Sequence, residues 1–194
     1  MTHTDEQSLI RKEALTARRG MSDAQRYDYS IRIAARLERT PWFRSASTIA
    51  VYLSARDEAD TSEIILRSWR ANKRVVAPVI GKNSRMVFSE LSPSTPLKRN
   101  NFGLLEPASN RIVVTRDINI VVTPLAAFDK NGARVGMGGG YFDRHFSQHA
   151  FRRSYRHPRL IGVAFACQQV KQIPENPWDI SLSACVTEEE AIAF

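Results

Sequence analysis

Short apolar runs alternate with amphipathic helical segments along most of the chain, and this alternation constrains the fold more than any other feature. Strands separated by helices favour a parallel sheet that carries helices on both faces. We therefore expect an α/β fold, with one domain built on an open, mainly parallel, Rossmann-like sheet. The predicted strands are Ile49–Leu53, Arg74–Val79, Arg85–Leu91, Ile118–Thr123, Leu160–Phe165 and Ala184–Thr187.

Helical spacing and capping signals locate the helices between these strands. Apolar residues on one helix face predict a first helix over Ser8–Arg19. Ser22 followed by Gln25 is a capping-box pattern, and it predicts a second helix that runs to about Arg39. Another helix is expected after Asp60. Residues 92–117 contain several prolines and a glycine, and we predict that they are irregular.

The composition is that of a soluble globular domain. The 194 residues are 43% hydrophobic and 25% charged, values that suit one compact core. No apolar run approaches the roughly 20 residues that cross a bilayer, and the N-terminus lacks the apolar centre of a secretory signal. The only cysteines, Cys167 and Cys185, form no metal-type cluster. We therefore expect a cytoplasmic protein that does not associate with membranes.

The net charge of +8 indicates an anionic ligand without identifying it. Nucleic acid, nucleotide phosphates and a small polyanion all fit such a charge. The basic residues are scattered apart from Arg18-Arg19 and Arg152-Arg153, and no ladder of aromatic and basic residues appears. We therefore expect small-molecule substrates and no nucleic-acid partner.

A glycine-rich loop, Gly132–Gly140, precedes a predicted helix over Tyr141–Ala150. Glycines leave backbone N–H groups accessible, and consecutive N–H groups at a helix N-terminus form a cradle for phosphate. Arg134 adds a fixed positive charge, and Asp143 in the first helical turn can hold Mg²⁺. The alternative is a tight turn in which Asp143 complements the helix dipole. The loop matches neither a Walker A motif nor a clean dinucleotide fingerprint.

The loop and its surroundings resemble the signature of the 5-formyltetrahydrofolate cyclo-ligases. The matching residues of the loop region are Pro124, Phe128-Asp129, Gly132, Arg134, Gly136, Gly138, Gly140, Tyr141 and Asp143. Further elements of the family pattern match at Tyr52 to Ser54, Asp57 to Thr61, Gly103 to Pro107, Gln168, Ile173-Pro174 and Trp178-Asp179. Five ordered motifs make the resemblance specific and extend it over nearly the whole chain.

The resemblance implies an ATP-dependent closure of a one-carbon bridge on a reduced folate. ATP would phosphorylate the formyl oxygen of 5-formyltetrahydrofolate, and the second folate nitrogen would then displace phosphate to give 5,10-methenyltetrahydrofolate. Arg134 and Tyr141 would be catalytic, and Asp143 and Asp179 would bind Mg²⁺. Without the resemblance, Asp179 is more simply interpreted as a turn residue, since a lone Asp in a loop usually is one. ATP would be bound by Arg11, Arg134, Gly136, Met137, Gly138, Gly139, Gly140, Tyr141 and Phe142.

The resemblance also assigns folate contacts to Leu53, Glu58 and Tyr141. Glu58 can accept hydrogen bonds from the guanidine-like edge of a pterin. The alternatives are that Glu58 merely begins a helix and that Tyr141 is a core aromatic. Met86 and Phe88 can line the pterin pocket or belong to the ordinary core. Phe102 matches a position where the family often carries an aromatic residue near the substrate.

One position departs from the family pattern. Arg11 matches a basic residue of the first helix, but Gln7 stands where the family usually has another. The two share a helix face, so we expect Gln7→Lys to restore a charge and to tighten ATP binding modestly. The alternative is that Gln7 and Arg11 lie on a solvated helix face.

Other functions remain open at this level. A related α/β enzyme, such as a sugar-phosphate isomerase or an acyl-transferase relative, can use the same loop for a phosphate without hydrolysing ATP. A basic nucleic-acid-binding module is the alternative from another class. We expect a monomer that uses reduced folate, ATP and Mg²⁺.

Overall fold

An eight-stranded sheet forms the centre of the protein in a computed structural model, which describes residues 3–55, 57–81, 85–150 and 158–194. The strands are β1 (Thr48–Ala50), β2 (Arg74–Ile80), β3 (Met86–Glu90), β4 (Leu97–Arg99), β5 (Leu105–Pro107), β6 (Ile112–Val113), β7 (Ile120–Thr123), β8 (Ala127–Phe128), β9 (Arg134–Val135), β10 (Arg159–Val163), β11 (Ala184–Val186) and β12 (Ala191–Ala193). Their order in the central sheet is β12-β11-β10-β7-β1-β2-β3-β6. The five strands from β11 to β2 are parallel, and the flanking strands β12, β3 and β6 are antiparallel to their neighbours.

Helices cover both faces of the sheet. The helices are α1 (His3–Arg19), α2 (Asp23–Arg39), α3 (Pro41–Ser45), α4 (Ser62–Arg70) and α5 (Tyr141–Ala150). The side chains of Ile49 and Ile120 lie in the core cluster that includes residues of α2, α3 and α4. The neighbouring side chains of Ala50 and Val121 lie in the opposite cluster, which includes Phe146 of α5. This alternation follows from the two-residue period of a strand, and it confirms the expected α/β fold.

The first helix packs away from the main sheet. Ala14 of α1 lies in a small apolar cluster with Ala127, Val135 and Ile173. Ala127 and Val135 belong to the antiparallel hairpin β8–β9, and the glycine-rich loop follows β9 directly. The packing of α1 on this hairpin therefore places the N-terminal helix beside the loop.

The structure also corrects several sequence-based boundaries. Residues 92–117, predicted to be irregular, contain the hairpin β4–β5 and the edge strand β6. The first strand ends at Ala50 instead of Leu53, although Val51 N–H still donates to the Val76 carbonyl at 2.8 Å. The capping box is confirmed, since the Ser22 hydroxyl accepts from Gln25 N–H at 3.2 Å and Gln25 Oε1 accepts from Ser22 N–H at 2.9 Å.

Within the described part of the chain, no helix is both long and apolar enough to cross a bilayer.

Candidate active site

A cleft of about 390 Å³ opens where β1 and β7 end. Tyr52 and Leu53 follow β1, and Pro124 follows β7, so the cleft lies beyond the carboxyl ends of parallel strands. Ligands bind at this edge in open α/β sheets. The lining residues are Tyr52, Leu53, Ala55, Glu58, Pro78, Ile80, Met86, Asn100, Phe102, Leu104, Leu105, Pro124, Arg134, Gly136, Met137, Gly139, Gly140, Tyr141, Phe142 and Asp143.

The glycine-rich loop forms one side of this cleft. Gly138 and Gly140 have φ angles of 104° and 60°, a region that favours glycine. A Cβ atom on Gly139 would lie 2.8 Å from the Tyr141 ring, so a side chain there would displace that ring. Gly136, Met137, Gly139 and Gly140 line the cleft, as expected, whereas Gly138 is not among the lining residues.

Arg134 and Asp143, which both line the cleft, form an ion pair. Arg134 Nη2 donates to Asp143 Oδ1 at 2.8 Å, and the Arg134 side chain is only 3% exposed. Arg134 Nε has no hydrogen-bond partner among the described residues. The guanidinium is thus incompletely paired at the edge of a cleft, an arrangement suited to an anionic ligand.

Asp179 lies beside this ion pair but does not line the cleft. Ile180 N–H donates to Asp143 Oδ1 at 3.4 Å, so the residue that follows Asp179 contacts the other predicted metal ligand. Asp179 Oδ2 accepts hydrogen bonds from Asn176 N–H at 2.9 Å and from the Gln7 side chain at 2.7 Å. In the described ranges, no group of three or more His, Cys, Asp or Glu side chains could hold a metal ion.

The two carboxylates suit a cation that arrives with a ligand. Mg²⁺ prefers oxygen ligands, and proteins commonly bind it through one or two carboxylates together with substrate phosphates. Asp143 and Asp179 each use one carboxylate oxygen in the contacts above. Their donor chemistry therefore fits Mg²⁺ that is bound together with a polyphosphate.

Helix α1 carries two residues predicted to face the nucleotide, Gln7 and Arg11, and neither is among the residues that line the cleft. Arg11 Nε donates to the Gly136 carbonyl at 2.8 Å, so Arg11 contacts the backbone of the glycine-rich loop. Gln7 is buried, and its Nε2 donates at 2.7 Å both to the Pro174 carbonyl and to Asp179 Oδ2. The alternative of a solvated helix face is therefore wrong for Gln7, which binds a predicted metal ligand.

Apart from the glycine-rich loop and Asp143, the described cleft lining is largely apolar and includes the Glu58 carboxyl group. Glu58 lies before α4, so the alternative that it begins this helix is wrong. Its Oε2 accepts from Ala55 N–H at 2.8 Å, and burial raises the pKa of the Glu58 carboxyl above its usual value. Burial, together with the charge of Glu58, also holds the pKa of the Tyr52 hydroxyl well above its usual range.

Aromatic residues border both halves of the cleft. Phe102 lies in the turn between β4 and β5 and meets the Tyr141 ring edge to face, with 5.9 Å between ring centroids. Met86 lines the cleft, whereas Phe88 is buried in the core, so the suggestion of a pocket role for Phe88 is wrong.

Sequence reasoning missed several residues that line the cleft or contact its lining. Arg144 lies over the Tyr141 ring at 5.0 Å, and its Nη2 donates to the Gly139 carbonyl at 2.7 Å. Its spacing of three residues from Tyr141 on a helix was an available signal. Leu104 and Leu105 lie within the matching Gly103 to Pro107 element, but their place at the cleft was not predicted, and Asn100 carried no such signal, because all three belong to a hairpin that the sequence did not reveal.

Comparison with known proteins links this geometry to a family. The sequence model of the 5-formyltetrahydrofolate cyclo-ligase family matches residues 3–188 of this chain. A relative named 5-formyltetrahydrofolate cyclo-ligase from Haemophilus influenzae is 33% identical over 184 residues, covering 93% of this chain and 96% of its own. A relative of the same name from Escherichia coli K12 is 34% identical, covering 88% of this chain and 93% of its own.

Solved structures agree with this match. The 5,10-methenyltetrahydrofolate synthetase of Aquifex aeolicus superposes with a TM-score of 0.81 at 26% identity, covering 96% of this chain and 92% of its own. The Mycoplasma pneumoniae protein named 5,10-methenyltetrahydrofolate synthetase has the same fold, with a TM-score of 0.73 at 22% identity, covering 94% of this chain and 98% of its own. Because the family match spans nearly the whole chain and includes the cleft, this protein belongs to the 5-formyltetrahydrofolate cyclo-ligase family.

Proposed function

We propose that this protein converts 5-formyltetrahydrofolate and ATP into 5,10-methenyltetrahydrofolate, ADP and phosphate. The observation that carries the proposal is that the glycine-rich loop and the apolar surface around Glu58 line the same cleft. A phosphate on the loop and a pterin beside Glu58 would then be neighbours. Family membership and the names of the relatives support the same reaction.

The reaction requires activation of a poor leaving group. The formyl oxygen belongs to an amide, and attack of this oxygen on the γ-phosphorus of ATP would form a phosphate ester and release ADP. The second folate nitrogen would then attack the formyl carbon and lose its proton to solvent or to the departing phosphate, and the C–O bond would break as phosphate leaves. Both steps join groups that the enzyme holds in position, so orientation and charge neutralisation supply most of the catalysis.

Arg134 would neutralise charge on the transferred phosphoryl group. Its guanidinium lies in the cleft and carries an unpaired, buried Nε. The glycine-rich loop would contribute backbone N–H groups from Gly136 to Gly140, with Met137, Tyr141 and Phe142 around the nucleotide. Arg11 would contribute to phosphate binding indirectly, through the backbone of the loop, because it donates to the Gly136 carbonyl.

Magnesium would be held by Asp143 and Asp179 together with the ATP phosphates. When bound, the cation would neutralise phosphate oxygens and orient the γ-phosphate. The Arg134–Asp143 ion pair keeps both side chains in place before ATP binds.

The folate would bind through Leu53, Glu58 and Tyr141. The ionised carboxylate of Glu58 would accept hydrogen bonds from the pterin N–H groups, and the Tyr141 and Phe102 rings would pack on the remainder of the molecule. We further propose that the enzyme acts as a cytoplasmic monomer, which light scattering of the purified protein tests for its oligomeric state.

Product formation tests the reaction. Mixing protein, Mg²⁺-ATP and 5-formyltetrahydrofolate should produce the longer-wavelength absorbance of the conjugated methenyl product, with an equal amount of ADP. Omitting any one component should abolish both signals. Folded protein that releases ADP without forming the chromophore would contradict the proposal.

A further inference from the structure

Arg18 is among the largest fully buried side chains, and it is charged. It lies near the end of α1, and its side chain is 2% exposed. Nη2 donates to Asp57 Oδ2 at 2.9 Å, and Nη1 lies 3.9 Å from the Met137 sulfur. Nε has no partner among the described residues. The guanidinium is thus buried with an incomplete set of hydrogen bonds.

The two groups that Arg18 contacts belong to two separate segments, each of which contributes to the lining of the cleft. Asp57 precedes Glu58, which lines the cleft. Met137 belongs to the glycine-rich loop and lines the cleft as well. One guanidinium of α1 therefore contacts both segments.

Stability alone does not explain a buried arginine at this place. A buried ion pair usually adds little net stability compared with apolar side chains of similar size. A neighbour, the largely exposed Arg19, also approaches the same Asp57 oxygen, with its Nε at 3.4 Å. Asp57 would thus keep a cationic partner without Arg18, whereas the contact with Met137 would be lost.

We propose that Arg18 is a positioning residue that holds the Asp57–Glu58 segment and the glycine-rich loop in a fixed relation, so that ATP and folate bind cooperatively. The cooperative binding of ATP and folate rests on the proposed function. The ordering of both segments by Arg18 does not, since it is a property of the ligand-free protein.

The charge of Arg18 also acts on Glu58. Burial raises the pKa of Glu58, the positive charge of Arg18 opposes this rise, and the negative charge of Asp57 adds to it. Among the described residues, Tyr52 is a further titratable group that interacts with Glu58. Arg18→Met should therefore raise the pKa of Glu58 further, whereas Asp57→Asn should lower it. A purely structural role of the ion pair predicts no such opposite shifts.

Amide hydrogen exchange of the ligand-free protein tests the positioning. In Arg18→Met, exchange should become faster both in residues 57–61 and in the glycine-rich loop. The matched control is Arg19→Met, which removes an exposed partner of the same carboxylate and should leave the glycine-rich loop unchanged. Faster exchange in only one of the two segments, or equal effects of both variants, would overturn the proposal.

Binding of 5-formyltetrahydrofolate, with and without Mg²⁺ and a non-hydrolysable ATP analogue, tests the cooperativity. In the wild type the analogue should tighten folate binding by about fivefold or more, the lower end of typical couplings between sites. This gain should disappear in Arg18→Met and persist in Arg19→Met. The acid limb of folate binding should move to higher pH in Arg18→Met and to lower pH in Asp57→Asn.

The outcomes separate the two claims. A wild type that binds no folate would contradict the proposed function, while hydrogen exchange would still decide whether Arg18 orders both loops. Folate binding with the same gain in wild type and Arg18→Met would overturn the cooperativity alone. If Arg18→Met unfolds, the shift of the acid limb of folate binding in Asp57→Asn still tests the electrostatic effect on Glu58. Hydrogen exchange of Arg18→Lys, which retains the charge, then tests whether the guanidinium orders both segments.

Discussion

Glu58 lies in the apolar side of the cleft, where burial raises the pKa of its carboxyl group. We predict that Glu58→Gln raises the KM for folate far more than the KM for ATP, because the variant removes only the charged acceptor beside the pterin. Loss of one charged hydrogen bond is worth about 1.5–3 kcal/mol, or roughly 10- to 150-fold. Steady-state kinetics with each substrate varied in turn measures the two constants, and equal changes would contradict the placement of Glu58.

The same residue predicts a trade between function and stability. Because the pKa of Glu58 is raised in the folded protein, its stabilising contribution is greatest below the usual glutamate pKa and is lost as the pH rises through the raised value. Glu58→Gln should therefore melt at the same or a higher temperature than the wild type at neutral pH, and the difference should disappear near pH 4. A variant that melts lower at neutral pH would show that the ionised carboxylate stabilises the fold.

Asp143 and Asp179 make different contacts although both are predicted metal ligands. We predict that Asp143→Asn and Asp179→Asn each increase the Mg²⁺ concentration needed for half-maximal activity. Only Asp143→Asn should also lower the free energy of unfolding, by about 1–3 kcal/mol, because the buried Arg134 would lose its ionised partner. Chemical denaturation without magnesium measures this difference. Asp117→Asn, at an exposed ion pair, is the control, and wild-type Mg²⁺ dependence in both variants would contradict the metal assignment.

Among the structural elements, α1 is tied to the C-terminal segment through Gln7. From the sequence alone, Gln7→Lys is expected to tighten ATP binding. In the structure a lysine there would meet Asp179 and neutralise a carboxylate proposed to bind Mg²⁺. We now predict a few-fold higher Mg²⁺ requirement, about the 0.5–1 kcal/mol of a single ion pair, with little dependence on ionic strength because the contact at Gln7 is largely buried. Leu9→Lys adds the same charge at an exposed position of α1, and tighter ATP binding only in Gln7→Lys would support the original expectation.

The hairpin β4–β5 carries Phe102 to the Tyr141 ring at the cleft. We predict that Phe102→Ala weakens folate binding about 2- to 12-fold, the range of roughly 0.5–1.5 kcal/mol for an aromatic contact. The fold should lose little stability, because Phe102 is 60% exposed. Leu97→Ala is a matched control on the same hairpin, since Leu97 is 45% exposed and is not among the cleft residues. Equal folate affinities of the two variants would remove Phe102 from the site.

Across the whole molecule, the central sheet could be predicted and its borders could not. Buried parallel strands such as β7 and β10 are continuous apolar runs, which stand out in a sequence. The hairpin strand β4 is exposed and the edge strand β6 has two residues, so neither produces a period that a sequence reveals.

The candidate site likewise has a part that the sequence predicts and a part that it does not. The glycine-rich loop is contiguous, so its motif identifies most of the residues that line one side of the cleft. The contact between Gln7 and Asp179 joins residues separated by 172 positions, and the buried charge of Arg18 lies in a helix that reads as an ordinary amphipathic one. Such contacts depend on how α1 packs against the hairpin β8–β9, which the local pattern does not specify.

Transfer of oxygen from folate to phosphate tests the central claim most directly, because it follows the atom that joins the two substrates in the cleft. The measurement uses 5-formyltetrahydrofolate labelled with ¹⁸O in its formyl group, unlabelled ATP and Mg²⁺, with mass spectrometry of the released phosphate. If ATP phosphorylates the formyl oxygen, each phosphate formed with a methenyl product carries one ¹⁸O atom. Methenyl product accompanied by unlabelled phosphate would contradict the account.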